Sequence, residues 1–166
     1  MEDIVIRKCR KEDVQLLGAY IPRPSFHINR FNNQEKGVSE YLIAWKENIP
    51  VGHLNLILVG SDEEYVKSRI NTCPELNAIG TYPPEMRSKG IGRKLIEEAE
   101  RICKEKGFKQ VGLAVDTSNT KAKELYERLG YQDSGIGEFD SVWFEDQDDG
   151  TKEKVIDHCI YMIKEL

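Results

Sequence analysis

Residues 87–92 read Arg-Ser-Lys-Gly-Ile-Gly, after a short β-like segment and ahead of a strongly amphipathic helical pattern. A glycine loop that opens a helix gathers unpaired backbone N–H groups at the positive end of the helix dipole, which makes a site for a pyrophosphate. Further along the chain a second helical pattern starts after Asn119, carries Tyr126 and stops at Gly130 and Tyr131. A phenol with an ordinary pKa near ~10 is protonated at neutral pH and can donate that proton to a leaving group.

Two common glycine-loop chemistries fail on spacing. A Walker loop needs four residues between its glycines and then Gly-Lys-Ser/Thr, whereas Gly90 and Gly92 are followed by Arg93, Lys94 and Leu95. A dinucleotide fingerprint needs a third glycine where Leu95 stands. What remains is Arg-x-x-Gly-x-Gly opening a helix, a pattern that taken alone also suits a plain tight turn.

The elements that must position these groups follow from periodicity. Residues 90–106 form the clearest helix: Ile91, Leu95, Ile96, Ala99, Ile102 and Cys103 recur at helical spacing, and Gly107 stops it. Residues 109–115 read as a strand with almost no polar residue after Gln110, as expected of a central strand covered on both faces. Residues 122–129 form the second helix. Strands are expected at 4–8, 41–45, 50–59 and 76–81, with further strand-like stretches at 131–144 and 154–163. A short helix is expected at 14–20, ended by Pro22 and Pro24, and another within 25–37, ending at Gly37. Residues 61–74 are polar and read as a surface excursion. With no repeat or linker, one domain over 1–166 is the expectation. The element order describes a mixed α/β chain in which helical crossovers join parallel strands and hairpins join antiparallel ones.

Residues 87–95 resemble the acetyl-coenzyme-A loop of the Gcn5-related N-acetyltransferases (the GNAT superfamily). The helix with Asn119, Ala122, Tyr126, Gly130 and Tyr131 resembles that superfamily's second motif, and the spacing and element order match over essentially the full chain. The resemblance implies a mixed, mostly antiparallel sheet of about seven strands, splayed open between the fourth and fifth, with about four helices. It implies acetyl-CoA as co-substrate in that cleft, with no metal. The backbone of Ser88, Lys89, Gly90, Ile91, Gly92 and Arg93 would hold the pyrophosphate, with Arg87, Lys89 and Arg93 supplying charge. The strand holding Ile79 and Thr81 would pair with the pantetheine amides, and one of its N–H groups would polarise the thioester carbonyl. Asn119 falls at a position that often contacts coenzyme A, and it also suits a helix N-cap. One departure stands out: the stretch from Ile79 to Arg87 is a residue longer than the usual pattern. Either Gly80 marks a bulge or the turn is enlarged, and the sequence leaves open which side chains of this strand face the cofactor.

Amide formation needs an acid for the leaving thiolate and a base for the amine. The resemblance gives Tyr126 the acid role. For the base it points to the fourth strand, where Glu75 is the only carboxylate before Glu85 and Asn77 could hold a water. His27 and His158 are alternatives from outside that strand. Phe26, His27, Arg30 and Phe31 could line the acceptor pocket, and the acidic loop 145–149 could attract a cationic amine. The acceptor is a small-molecule or peptide amine of unidentified kind. A non-catalytic acyl-CoA-binding domain is the alternative reading.

Bulk properties bound these readings. The 166 residues are 39% apolar and 32% charged, enough for a core, and the net charge of −5 argues against a nucleic-acid backbone as partner. The longest apolar runs are too short to span a bilayer and residues 1–6 lack a signal-peptide pattern, so no membrane partner and a cytoplasmic location are expected. Cys9, Cys73, Cys103 and Cys159 have no metal or redox spacing and read as small buried hydrophobes. Dimerisation through the last strands is left open.

Overall fold

A computed structural model describes residues 3–23, 25–147 and 149–166. Met1, Glu2, Pro24 and Asp148 lie outside the described residues. The start of the N-terminal reading, one of the two helix-breaking prolines and one residue of the acidic loop therefore have no structural account.

The chain begins with β1 (Ile4–Lys8), α1 (Asp13–Tyr20), α2 (Phe26–Glu35) and the hairpin β2 (Ser39–Lys46)–β3 (Ile49–Ile57). A four-residue helix α3 (Glu64–Lys67) follows, then β4 (Glu75–Thr81), a single 3-10 turn (Pro84–Met86), α4 (Ile91–Glu105), β5 (Gln110–Asp116) and α5 (Thr120–Arg128). Three strands finish it: β6 (Gln132–Asp133), β7 (Phe139–Asp146) and β8 (Lys152–Glu165). The sheet runs β1-β2-β3-β4-β5-β8-β6, with β7 also on β8.

Two counts differ from expectation. The polar excursion at 61–74 contains α3, which raises the helices to five. Residues 131–144 break into β6 and β7 because Gly135 and Gly137 sit between them at φ +82° and +94°, conformations that turn the chain away from a strand.

Strands β4 and β5 are the parallel pair, and they touch at one place only, Glu75 opposite Gly112, where Gly112 N–H also donates to Pro74 O at 2.9 Å. Beyond that bridge they diverge, so the sheet is splayed between its fourth and fifth strands as expected. Gly112 lets this happen in a tight space: a Cβ there would come within 2.8 Å of the Tyr161 ring carbon Cζ. The expectation that β5 is covered on both faces fails at Ala114, which is exposed because the sheet opens beside it.

One face of the sheet carries α4, whose Leu95, Ile96, Ala99 and Cys103 pack on Leu42, Leu54, Leu56, Leu76 and Leu113. Each such fully buried aliphatic side chain stabilises the fold by about 1.5–3 kcal/mol. The opposite face carries α1 and α2, with Leu17 and Phe26 against Tyr41, Ile43 and Trp45. A third cluster joins Val66 and Cys73 to Phe139, Cys159 and Tyr161. All four cysteines are free and buried, and burial pushes each thiol up to about 12, as inert apolar side chains.

Candidate active site

Helices α4 and α5 both start where the parallel pair opens, because each follows the C-terminal end of one of its strands. Gly90 caps α4 at φ +84° with no side-chain capping bond. The first intrahelical bond runs from Lys94 N–H to Gly90 O at 3.1 Å, so the N–H groups of Ile91, Gly92 and Arg93 have no intrahelical acceptor. Ser88 adopts φ +61°, which curls the loop ahead of them. A Cβ added at Gly90 or Gly92 would meet no protein atom within 4 Å. Their bare faces are open to whatever approaches from outside, as a phosphate cradle requires. Of the three cations around the loop, Arg93 is paired with Glu97 at 2.8 Å on the helix surface.

Strand β4 carries a bulge, but not at Gly80. Between the pairs His53–Gly80 and Asn55–Asn77, β3 supplies one residue and β4 supplies two, Ala78 and Ile79. Ala78 takes φ +52° to make this possible. The bulge settles the register: Ile79 packs toward α4, Ala78 packs toward α1 and α2, and Gly80 lies against the His53 ring. A Cβ on Gly80 would sit 2.9 Å from His53 Nε2, so glycine is needed there for close approach.

The α2 side of this bulge is polar and mostly buried. His53 Nδ1 donates to Ala78 O at 2.8 Å, which leaves Nε2 as the lone-pair nitrogen. Burial depresses His53 to about 4, so the ring is neutral at pH 7. Asn55 Oδ1 is buried without a partner. Glu75, 5% exposed, receives Asn77 Nδ2 at a long 3.4 Å. Burial raises its carboxyl to about 7, against the opposing pull of the Ser61, Tyr161 and Asn77 side chains. A group so poised exchanges protons at neutral pH.

The histidines named from the sequence are occupied elsewhere. His27 Nε2 must donate to Ile21 O at 2.7 Å, so Nδ1 is the acceptor for the Tyr41 hydroxyl, also at 2.7 Å. Burial lowers its pKa, which keeps it neutral and locked as a structural link between α2 and β2. His158 stands exposed on β8, paired with Asp140 at 2.9 Å and Glu138 at 3.5 Å, and Asp140 raises its pKa. His27 thus has both ring nitrogens engaged inside the fold, and His158 is turned to carboxylates on the sheet surface.

Tyr126 lies on α5, half-buried, edge-on to Tyr131 with ring centroids 6.2 Å apart. Burial raises its pKa, so the phenol stays protonated through the neutral range. No described residue takes its hydroxyl in a hydrogen bond. Tyr131 is fixed in place: its hydroxyl donates to Glu100 at 2.7 Å, and Lys164 holds the other Glu100 oxygen at 2.9 Å, which ties α5 to α4 and β8. Asn119 serves as the N-cap of α5, its Oδ1 accepting from Ala122 N–H at 3.1 Å.

The acetyltransferase (GNAT) family profile matches residues 8–131, a span that holds the glycine loop, the splayed strands and Tyr126. The chain belongs to that family. Among curated relatives, it is 28% identical over 102 residues to a putative [ribosomal protein bS18]-alanine N-acetyltransferase of Bacillus subtilis, covering 61% of this chain and 60% of the relative. It is 44% identical over 50 residues to the thialysine N-epsilon-acetyltransferase of Bos taurus, covering 30% and 29% of the two chains. The chain thus spans less than two thirds of the length of either. A GNAT family acetyltransferase from Elizabethkingia anophelis with acetyl-CoA bound shares the fold at TM-score 0.65 and 18% identity, over 100% of both chains. The PaiA N-acetyltransferase of Thermoplasma acidophilum in complex with coenzyme A does so at TM-score 0.64 and 21% identity, over 98% and 99%.

The sequence offered the loop, Glu75, Asn77 and Tyr126 as candidates and did not single out His53 and Asn55, which the structure buries on the same face of the sheet as Glu75. A signal was present. They alternate with Leu54 and Leu56 in an otherwise apolar central strand, so two polar side chains fall on one buried face.

Proposed function

We propose that this GNAT chain is an N-acetyltransferase that moves an acetyl group from acetyl-CoA to an acceptor amine by direct attack in a ternary complex. The observation that carries the reading is the opening between β4 and β5 together with the uncapped N-terminus of α4 and its two bare glycines, which follows β4; the hydroxyl of Tyr126, on the helix that follows β5, has no partner among the described residues.

In this reading the N–H groups of residues 88–93 hold the pyrophosphate, with Arg87 and Lys89 adding charge. The backbone of residues 78–81, which the bulge leaves partly unpaired, takes the pantetheine amides and the thioester oxygen. The amine nitrogen attacks the thioester carbon and the C–S bond breaks. Glu75 receives the proton that the nitrogen gives up, directly or through a water on Asn77. Tyr126 protonates the departing thiolate. Glu75 supports catalysis over simple binding, because β4 does carry a buried carboxylate poised near neutrality. A cytoplasmic location, free of membrane and nucleic-acid partners, belongs to the same proposal. It draws on four free cysteines, as suits a reducing compartment, and no described helix is long and apolar enough to cross a membrane.

The test is calorimetry with coenzyme A, followed by incubation with acetyl-CoA and an amine library while free thiol is followed. Saturable heat and amine-dependent thiol release support the proposal. Binding without thiol release from any amine leaves only the acyl-CoA-binding domain, and no binding removes both.

A further inference from the structure

Two arginines stand beside the polar face in front of the bulge, and neither is ion-paired with a carboxylate among the described residues. Arg23 and Arg30 both lie on the Phe26 ring, their Cζ atoms 3.8 and 3.5 Å from its centroid. Arg30 is half-buried. Its Nη1 reaches only the Phe26 carbonyl, at 3.3 Å, and its Nε is shut away from solvent with no partner. No described carboxylate forms an ion pair with either guanidinium. Asp146, at the end of β7, is near enough for its field to act on Arg30, but its Oδ1 is held by Lys152 at 3.0 Å.

A partly desolvated guanidinium without an anion is unfavourable unless something else supplies one. The arginine fork matches an oxyanion with two oxygens in a plane, and stacking on Phe26 fixes the fork in advance. The location says what that anion belongs to. The Phe26 ring centroid is 5.2 Å from that of His53, and His53 donates to Ala78 O at the bulge. Asn55 and Glu75 line the same face, with an orphan acceptor oxygen and a carboxyl able to receive protons. Hydrogen-bond acceptors therefore stand beside β4, and cations stand one aromatic ring away.

We propose that the acceptor is an amine that also bears an anionic oxygen group, carboxylate or phosphate, which docks on Arg30 with Arg23 as the second cation. This rests on the acetyltransferase reading and narrows it. A polycationic amine is excluded, because it would bring its second charge against two arginines.

The test uses the full chain with coenzyme A present. Binding by calorimetry and thiol release from acetyl-CoA are measured for amino acids against their own carboxamides, and for O-phosphoethanolamine against ethanolamine. At least one anionic member of a pair is expected to exceed its neutral partner tenfold or more in affinity or kcat/KM. The carboxylate and phosphate arms identify which oxyanion fits. Arg30→Gln is expected to erase that preference through the acceptor KM, and Arg23→Gln to reduce it. Coenzyme A affinity and the far-ultraviolet circular dichroism stay unchanged in both variants. Equal response to neutral and anionic members, response to none, or a preference that survives Arg30→Gln overturns the inference while coenzyme A binding still stands. Loss of coenzyme A binding in the unmodified chain would bring down both.

Discussion

Replacing Glu75 with glutamine separates catalysis from stability, with opposite signs. The carboxyl is 5% exposed, and burial moves it from 4.5 to about 7. A carboxyl shifted that far is about 3 kcal/mol harder to ionise in the folded chain than in the unfolded one. The folded state therefore binds the extra proton. Stability from this group is complete below the unfolded value of 4.5, where both states are protonated, and is lost as pH rises through about 7. Glu75→Gln keeps the shape and cannot ionise. It should match the unmodified protein near pH 4 and exceed it by up to about 3 kcal/mol at pH 8 in urea unfolding. On the catalytic side, a positioned general base contributes roughly 10²–10⁴-fold. The variant should lose on that order in kcat/KM at pH 8, along with the inflection expected near pH 7 in the unmodified protein. A variant less stable than the parent at pH 8, or one that keeps the inflection, would show that Glu75 is neither desolvated nor the base.

Further outcomes follow from the same geometry. Gly92→Ala places its methyl against no protein atom within 4 Å, inside the first turn of α4, so urea unfolding should show equal stability or a gain of about 0.5–1 kcal/mol. The same methyl should weaken coenzyme A tenfold or more by calorimetry. Tyr126→Phe removes a hydroxyl that no described residue bonds, so thermal unfolding should move little while kcat falls on the order of 10²-fold. Gly112→Ala drives a methyl into the Tyr161 ring at the point where β4 and β5 part, and should cost about 1–3 kcal/mol in urea unfolding.

What was legible in the sequence, and what was not, divides along a physical line. Helix α4 was readable because one apolar stripe over its length and a glycine at each end are local signals. The open helix start at Gly90 was readable for the same reason: it consists of backbone N–H groups, which glycine spacing announces. The bulge was half-readable. An extra residue shows in the spacing, but whether it enters at Ala78 or Gly80 depends on the strand opposite, where His53 fills the space that a side chain on Gly80 would need. His27 looked like a base because an isolated histidine always does, and the carbonyl of Ile21 that fixes its proton is invisible without the fold. Glu75 was visible as a carboxylate but not as one near neutrality, because that value comes from burial, which only the fold supplies. The arginines on Phe26 belong to the same class: a count of charges gives them as ordinary cations, and only the fold shows that no described carboxylate pairs with them. In the site proposed above, the cofactor half is built from local backbone and the acceptor half from long-range side-chain contacts. On that proposal, single substitutions in α2 and β3 redirect acceptor specificity without disturbing the loop proposed to hold coenzyme A.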